Sequence, residues 1–187
     1  MAASPVAPSE PDLAALEQYF CAVSEACGAA LARTAIVRRT FDIGGDKFAS
    51  TFVLPEELNP MLGLRAVRLA LSRPEIFREH LRAMVRASAA GDVRIMVPMV
   101  AGLPELRAVR ALLDRAIDEV KASGHPCKET IPLGVMIELP SAAMLADHIA
   151  REASFMSIGT NDLIQYTLAV DRASRSLAYL ASPFDPS

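Results

Sequence analysis

The chain has 187 residues, 52% of them hydrophobic and 22% charged, with a formal net charge of −3. That length and apolar share support a folded core and exclude an intrinsically disordered protein. Charge is mildly negative without blocks of like sign, so no general nucleic-acid surface is indicated. No run reaches the length of a membrane span, and Met1-Ala-Ala-Ser-Pro5 lacks the features of a signal peptide. A cytoplasmic protein with neither nucleic acid nor membrane as partner is the expectation.

Residues 1–10, rich in Ala, Ser and Pro, read as a loose tail, and residues 11–187 as one domain. A helix is expected from about Ser9, with Leu13, Leu16, Phe20, Val23 and Cys27 on one face. Ala35 to Phe41 is a β-branched strand candidate that runs into Asp42-Ile-Gly-Gly-Asp-Lys47, where paired glycines permit a tight turn. Because Arg38 and Arg39 alternate, only one of them can face the interior of a barrel. Asn59 to Arg68 leads into a helix ending near Ser72. A second helix starts at Pro74, buries Ile76, Phe77, Leu81, Met84 and Val85, and stops at Gly91.

Val93 to Val100 is the next strand. Pro104 opens a long helix with Leu106, Val109, Leu113, Ile117 and Val120 inward, closed by Gly124. Leu133 to Ile137 is a near-continuous apolar strand ending at Glu138, after which Ser141 is expected to cap a helix over Met144, Leu145 and Ile149. Phe155 to Ile158 reads as a buried strand that stops at Gly159 and opens a helix carrying Asn161 and Asp162. Strands alternating with helices give an α/β fold, about four parallel strands of a (β/α)8 TIM-type barrel. Four strands make half of such a barrel and leave two open edges.

Ligands of parallel α/β folds sit at the carboxyl ends of strands, which places Asn161 and Asp162 in a site. Glu138 and Asp162 each close one of two consecutive strands, and right-handed crossover sets those strands side by side. Two carboxylates on one rim suit Mg²⁺, which takes one or two protein carboxylates together with waters and phosphate oxygens. The alternative is that Asp162 caps its helix and Glu138 pairs with an arginine. Arg39 lies at the end of the first strand, Arg65 in the Gly-Leu-Arg segment that leads into a helix, and Arg172 after the last strand and its helix. Their planar forks match phosphate and carboxylate oxygens, although each alone could equally be a surface group.

The remaining polar residues carry less. The cysteines Cys21, Cys27 and Cys127 have neither disulfide nor zinc spacing and read as reduced, packed thiols. Gly44-Gly45-Asp46-Lys47 has no nucleotide-loop spacing. Met96, Met99 and Met136 read as core filler at strand positions, and His80 and His148 as surface or partly packed helical residues.

Arg39-Thr-Phe-Asp-Ile-Gly-Gly-Asp-Lys47, Asn59-Pro-Met-Leu-Gly-Leu-Arg-Ala-Val-Arg68, Gly134-Val-Met-Ile-Glu138-Leu-Pro-Ser-Ala-Ala143 and Ser157 to Arg172 resemble enzyme I of the bacterial sugar phosphotransferase system, the phosphoenolpyruvate-protein phosphotransferases. The resemblance runs from about Pro11 to the end. It implies a barrel that binds phosphoenolpyruvate and Mg²⁺ and passes the phosphoryl group to a histidine on a separate domain. Glu138 and Asp162 would hold the metal, and Arg39, Arg65, Asn161 and Arg172 the phosphate and carboxylate.

By the same resemblance, the acceptor-histidine domain and the domain docking the phosphocarrier protein would precede residue 1. A first barrel strand would also lie upstream. Further strands and a proton-donor cysteine would follow Ser187. The expectation is therefore an internal portion of such an enzyme, inactive by itself, with the phosphohistidine domain, the phosphocarrier protein and a second copy of itself as partners. The competing expectations are a non-catalytic interaction module or truncated remnant that needs a partner to cover its open edges, and a small lyase on a related barrel.

Overall fold

The computed structural model describes residues 35–43 and 57–184. The expected N-terminal tail and helix, and the Gly44 to Lys47 turn, lie outside these residues. Strands β1 (Ile36–Arg39), β2 (Val93–Val97), β3 (Leu133–Ile137) and β4 (Met156–Ile158) form one sheet in the order β1-β2-β3-β4. Every neighbouring pair is parallel. The sheet curls as a half-barrel with helices between its strands, as the alternation of elements predicts.

The helices are α1 (Ala66–Ser72), α2 (Pro74–Ala87), α3 (Leu103–Ala122), α4 (Pro140–Met144), α5 (Ala146–Ala150) and α6 (Thr160–Leu168). α2 and α3 both take proline in the first turn, where its missing N–H costs nothing. They bury the apolar stripes read from the sequence. Gly124 closes α3 at a φ of 75°, a left-handed position that favours glycine.

Strand register sorts the side chains into two layers. Ile36 pairs with Val93, and Ile95 with Leu133, which puts Val93, Ile95, Val97, Leu133, Val135 and Ile137 on the face covered by helices. That layer, with Phe77, Leu81, Val109 and Leu113, is the core. Arg39 pairs with Met96, and Met136 with Ser157, so these residues share the opposite, concave face. Arg39 therefore faces inward, and Arg38 falls on the helix side.

Several expectations need correction. Ser141 caps nothing: Leu139 holds the N-cap position, and the segment breaks at Leu145 into two short helices. Met144 is exposed, and of the three apolar residues expected beneath that helix only Ile149 is buried. β4 is not buried either, because Met156 and Ile158 lie on the helix-side face and are exposed there. His80 is 2% exposed and packs against the rings of Phe41 and Phe77 at centroid distances of 5.2 and 6.4 Å. Burial pushes its pKa down to about 4, with the positive charge of Arg38 adding to the effect. Met99 is buried as expected but sits beyond the end of β2, while Met96 and Met136 line the concave face. Among the described residues, no helix is long and apolar enough to cross a membrane.

Candidate active site at the carboxyl ends of the strands

A cavity of about 550 Å³ opens at the carboxyl ends of the strands, lined by Arg39, Met136, Glu138, Gly159, Asn161, Asp162 and Arg172 among others. Five of the six residues singled out from the sequence reach it. β1 delivers Arg39, the end of β3 delivers Glu138, and the first turn of α6 delivers Asn161 and Asp162. Arg172 returns to it because α6 ends at Ala169 in a left-handed turn. The Arg172 backbone N–H then donates to Gln165 Oε1.

Arg65 lies behind the cavity wall, with its side chain 0% exposed. Its Nε and Nη2 donate to Asp42 Oδ1 at 3.3 and 3.1 Å, and Nη2 also reaches Oδ2 at 3.1 Å. Nη1 donates to Asp162 Oδ1 at 3.0 Å and to the Tyr166 hydroxyl at 3.3 Å. That hydroxyl donates in turn to the Met61 carbonyl. Burial opposes the guanidinium charge, but Asp42 first and Asp162 next outweigh it, so the group is held above its ordinary pKa. Arg65 thus ties the end of β1, the start of α1 and the start of α6 together.

Asp162 is shared. Its other oxygen accepts from Arg172 Nη1 at 3.4 Å, and Gly159, not Asp162, is the N-cap of α6. The helix-capping alternative for Asp162 is therefore not what the geometry displays. Among the described residues no arginine forms a salt bridge with Glu138, and its Oε1 accepts the Met99 backbone N–H at 2.6 Å. Burial raises the Glu138 pKa. The Met99 hydrogen bond opposes this, Asp162 and Asp42 add to it, and Arg39 offsets part. The second oxygen, Oε2, lies over Gly159, where an added Cβ would come within 2.7 Å of it. Here glycine serves close approach rather than conformation.

Backbone strain surrounds the site. Ala66, Met99 and Ala169, with φ of 48°, 59° and 54°, are the non-glycine residues of positive φ among the described residues. Ala66 follows Arg65, Met99 donates to Glu138, and Ala169 turns the chain toward Arg172. Such conformations are costly and persist where surrounding contacts dictate them.

Sequence reasoning missed Asp42, Tyr166 and the Met99 amide. Asp42 is 2% exposed in its side chain, and besides Arg65 it meets Arg39 Nη1 at 3.7 Å. The available clue was its position, three residues beyond Arg39 at the end of a strand. Cys127 is half-buried against the core, as a packed thiol should be. Among the described residues no group of three or more His, Cys, Asp or Glu side chains forms a metal cage. A site built from two carboxylates, water and ligand oxygens would not register as such a cage.

Comparison with known proteins places this geometry in a family. Residues 8–187 match the family described as PEP-utilising enzyme, PEP-binding domain. The chain is 50% identical over 171 residues to a phosphoenolpyruvate-protein phosphotransferase of Staphylococcus aureus, covering 91% of this chain and 30% of that protein. It is 53% identical over 152 residues to the one from Staphylococcus carnosus, covering 81% of this chain and 26% of the relative. The counterpart of Listeria monocytogenes is 51% identical over 152 residues, 81% of this chain and 27% of that protein. The chain thus spans at most about a third of these relatives. With the family match covering nearly the whole chain, the chain belongs to the PEP-binding domain family of PEP-utilising enzymes.

Proposed function

We propose that this chain is the phosphoenolpyruvate- and Mg²⁺-binding portion of a phosphoenolpyruvate-protein phosphotransferase. The observation that carries the reading is the single cavity where Arg39 and Arg172 face Glu138, Asn161 and Asp162 at the carboxyl ends of parallel strands. Arg39 and Arg172 suit the phosphate and carboxylate of a small trianionic ligand. Asn161, exposed in the first turn of α6, can hydrogen-bond either group. Arg65 supports the same site, as a ligand contact if it leaves Asp162 or from behind if it stays.

The donor set fits Mg²⁺. Glu138 keeps one oxygen on the Met99 amide and turns the other toward Gly159, and Asp162 offers a carboxylate at the same cavity. When bound, the metal would supply positive charge to the phosphoryl oxygens as the phosphorus–oxygen bond breaks. The residues themselves would orient the phosphoryl group for in-line transfer and stabilise the enolate that leaves. No histidine lines the cavity among the described residues, and His80 is buried beneath aromatic rings. On this reading the acceptor histidine belongs to a separate domain, and the proton donor for the enolate is a group other than Cys127. The same reading makes the phosphocarrier protein the downstream partner, a second copy of the chain its dimer mate, sugar uptake the pathway and the cytoplasm its setting.

Calorimetric titration of the folded chain with phosphoenolpyruvate in the presence of Mg²⁺ tests the proposal. Saturable heat that disappears in Arg39→Gln and Asp162→Asn supports it, and no heat from a demonstrably folded sample overturns it. A second reading, an interaction module whose open edge needs a partner, draws on the exposed Met156 and Ile158. It predicts association without ligand binding.

A further inference from the structure

Asp42 is buried, charged and absent from the set of residues that the proposed function uses. Its carboxylate accepts Nε and Nη2 of Arg65 and, through Oδ2, lies 3.7 Å from Arg39 Nη1. The two arginines differ in access: the Arg65 side chain is 0% exposed and that of Arg39 is 41% exposed on the cavity. Asp42 is thus the group through which the buried arginine and the cavity arginine are fixed relative to each other. We infer that Asp42 is a positioning residue for the anion site: it sets the plane of the Arg39 fork facing the cavity and holds Arg65 against Asp162. This rests on the reading of the cavity as a phosphoenolpyruvate site.

Two effects of the Asp42 charge oppose each other. A carboxylate behind the arginines weakens their attraction for an anion, so removing it could tighten binding. It also holds two flexible cationic side chains in one geometry, and bidentate recognition depends on geometry more than on net charge. The buried Arg65 offsets part of the Asp42 charge, so the field that Asp42 still exerts on Glu138 at the cavity is weakened. Positioning should therefore win.

The test compares the wild-type chain with Asp42→Asn and Asp42→Glu. Phosphoenolpyruvate affinity is measured by calorimetry at fixed Mg²⁺, and exchange of the Arg65 guanidinium Nε–H by ¹⁵N NMR. The expected result is at least a tenfold rise in Kd and at least tenfold faster Nε–H exchange in Asp42→Asn, both partly restored in Asp42→Glu. Unchanged exchange overturns the proposal, because Asp42 then does not hold Arg65. Faster exchange with unchanged or tighter binding overturns it too, because Asp42 is then structural or a competitor for the cation. If Asp42→Asn does not fold, Asp42→Glu decides: a Kd raised several-fold in a folded variant supports positioning, and a wild-type Kd refutes it. Should the wild-type chain bind no phosphoenolpyruvate, the reading of the cavity fails on that result. The exchange rates alone then decide whether Asp42 holds the arginine.

Discussion

Arg65 illustrates how much a single residue can carry at this site. Its side chain is fully buried, and its carboxylate partners lie 23 and 97 positions away in sequence. Breaking a buried pair by removing one side leaves the other charge uncompensated. Arg65→Ala should therefore lose about 3–5 kcal/mol of stability, measured by urea unfolding. Arg65→Lys should recover little, since an ammonium cannot span Asp42 and Asp162 with a planar fork. Gly159 behaves differently. Its φ of −96° suits any residue, so the cost of Gly159→Ala is steric and falls on Glu138, with 2.7 Å to both its Cβ and its Oε2. Gly159→Ala should weaken Mg²⁺ binding at least tenfold, read by calorimetry. Glu138 and Asp162 were legible because each stood at or just past the end of an apolar run. Their pairing was not, because hydrogen-bond partners so distant in sequence leave no local pattern.

Within elements, α2 shows a helix whose apolar stripe was readable while one polar member was not. His80 follows Phe77 by three positions and falls on the same buried stripe, so helical geometry draws it inside. Its folded pKa of about 4 lies below the ordinary 6.5, so the unfolded chain takes up the proton first. The stability that follows is complete above pH 6.5 and is lost as pH falls toward 4, a loss of roughly 3 kcal/mol if this group alone governs it. Chemical denaturation between pH 7 and pH 4 should display that slope. His80→Phe, which keeps the ring stack with Phe41 and Phe77, should flatten it. The segment after β3 was misread because a serine before apolar residues resembles a capped helix. Pro140 starts the helix instead, and the chain turns at Leu145 before the apolar face is complete.

At the scale of the described molecule, β4 presents an exposed apolar face at one end of the sheet. Met156 and Ile158 are 42% and 71% exposed on the helix side of the sheet, and no strand pairs beyond β4 among the described residues. Open apolar edges recruit further strands or copies. Sedimentation should find association that grows with concentration, and Met156→Lys should reduce it without altering the cavity, which Met156 does not line. If the site binds ligand as proposed, phosphoenolpyruvate with Mg²⁺ at a hundredfold excess over Kd should stabilise the fold by about 2.7 kcal/mol, seen as a higher thermal midpoint. Arg39→Gln should abolish that rise.

Hydrophobic periodicity and strand-end chemistry, both local properties of the chain, were enough to determine the parallel α/β architecture, the buried faces of α2 and α3, and five polar residues that line the cavity. The long motifs determined the family. Only the tertiary structure decided that Arg65 lies behind the cavity wall, that Asp42 joins it to Arg39, and that Glu138 answers to the Met99 amide. These depend on which strand ends the curl of the sheet brings together, and on how much water it leaves between them. A charged group's partners are set by three-dimensional proximity and desolvation, and neither is encoded in a window of neighbouring residues.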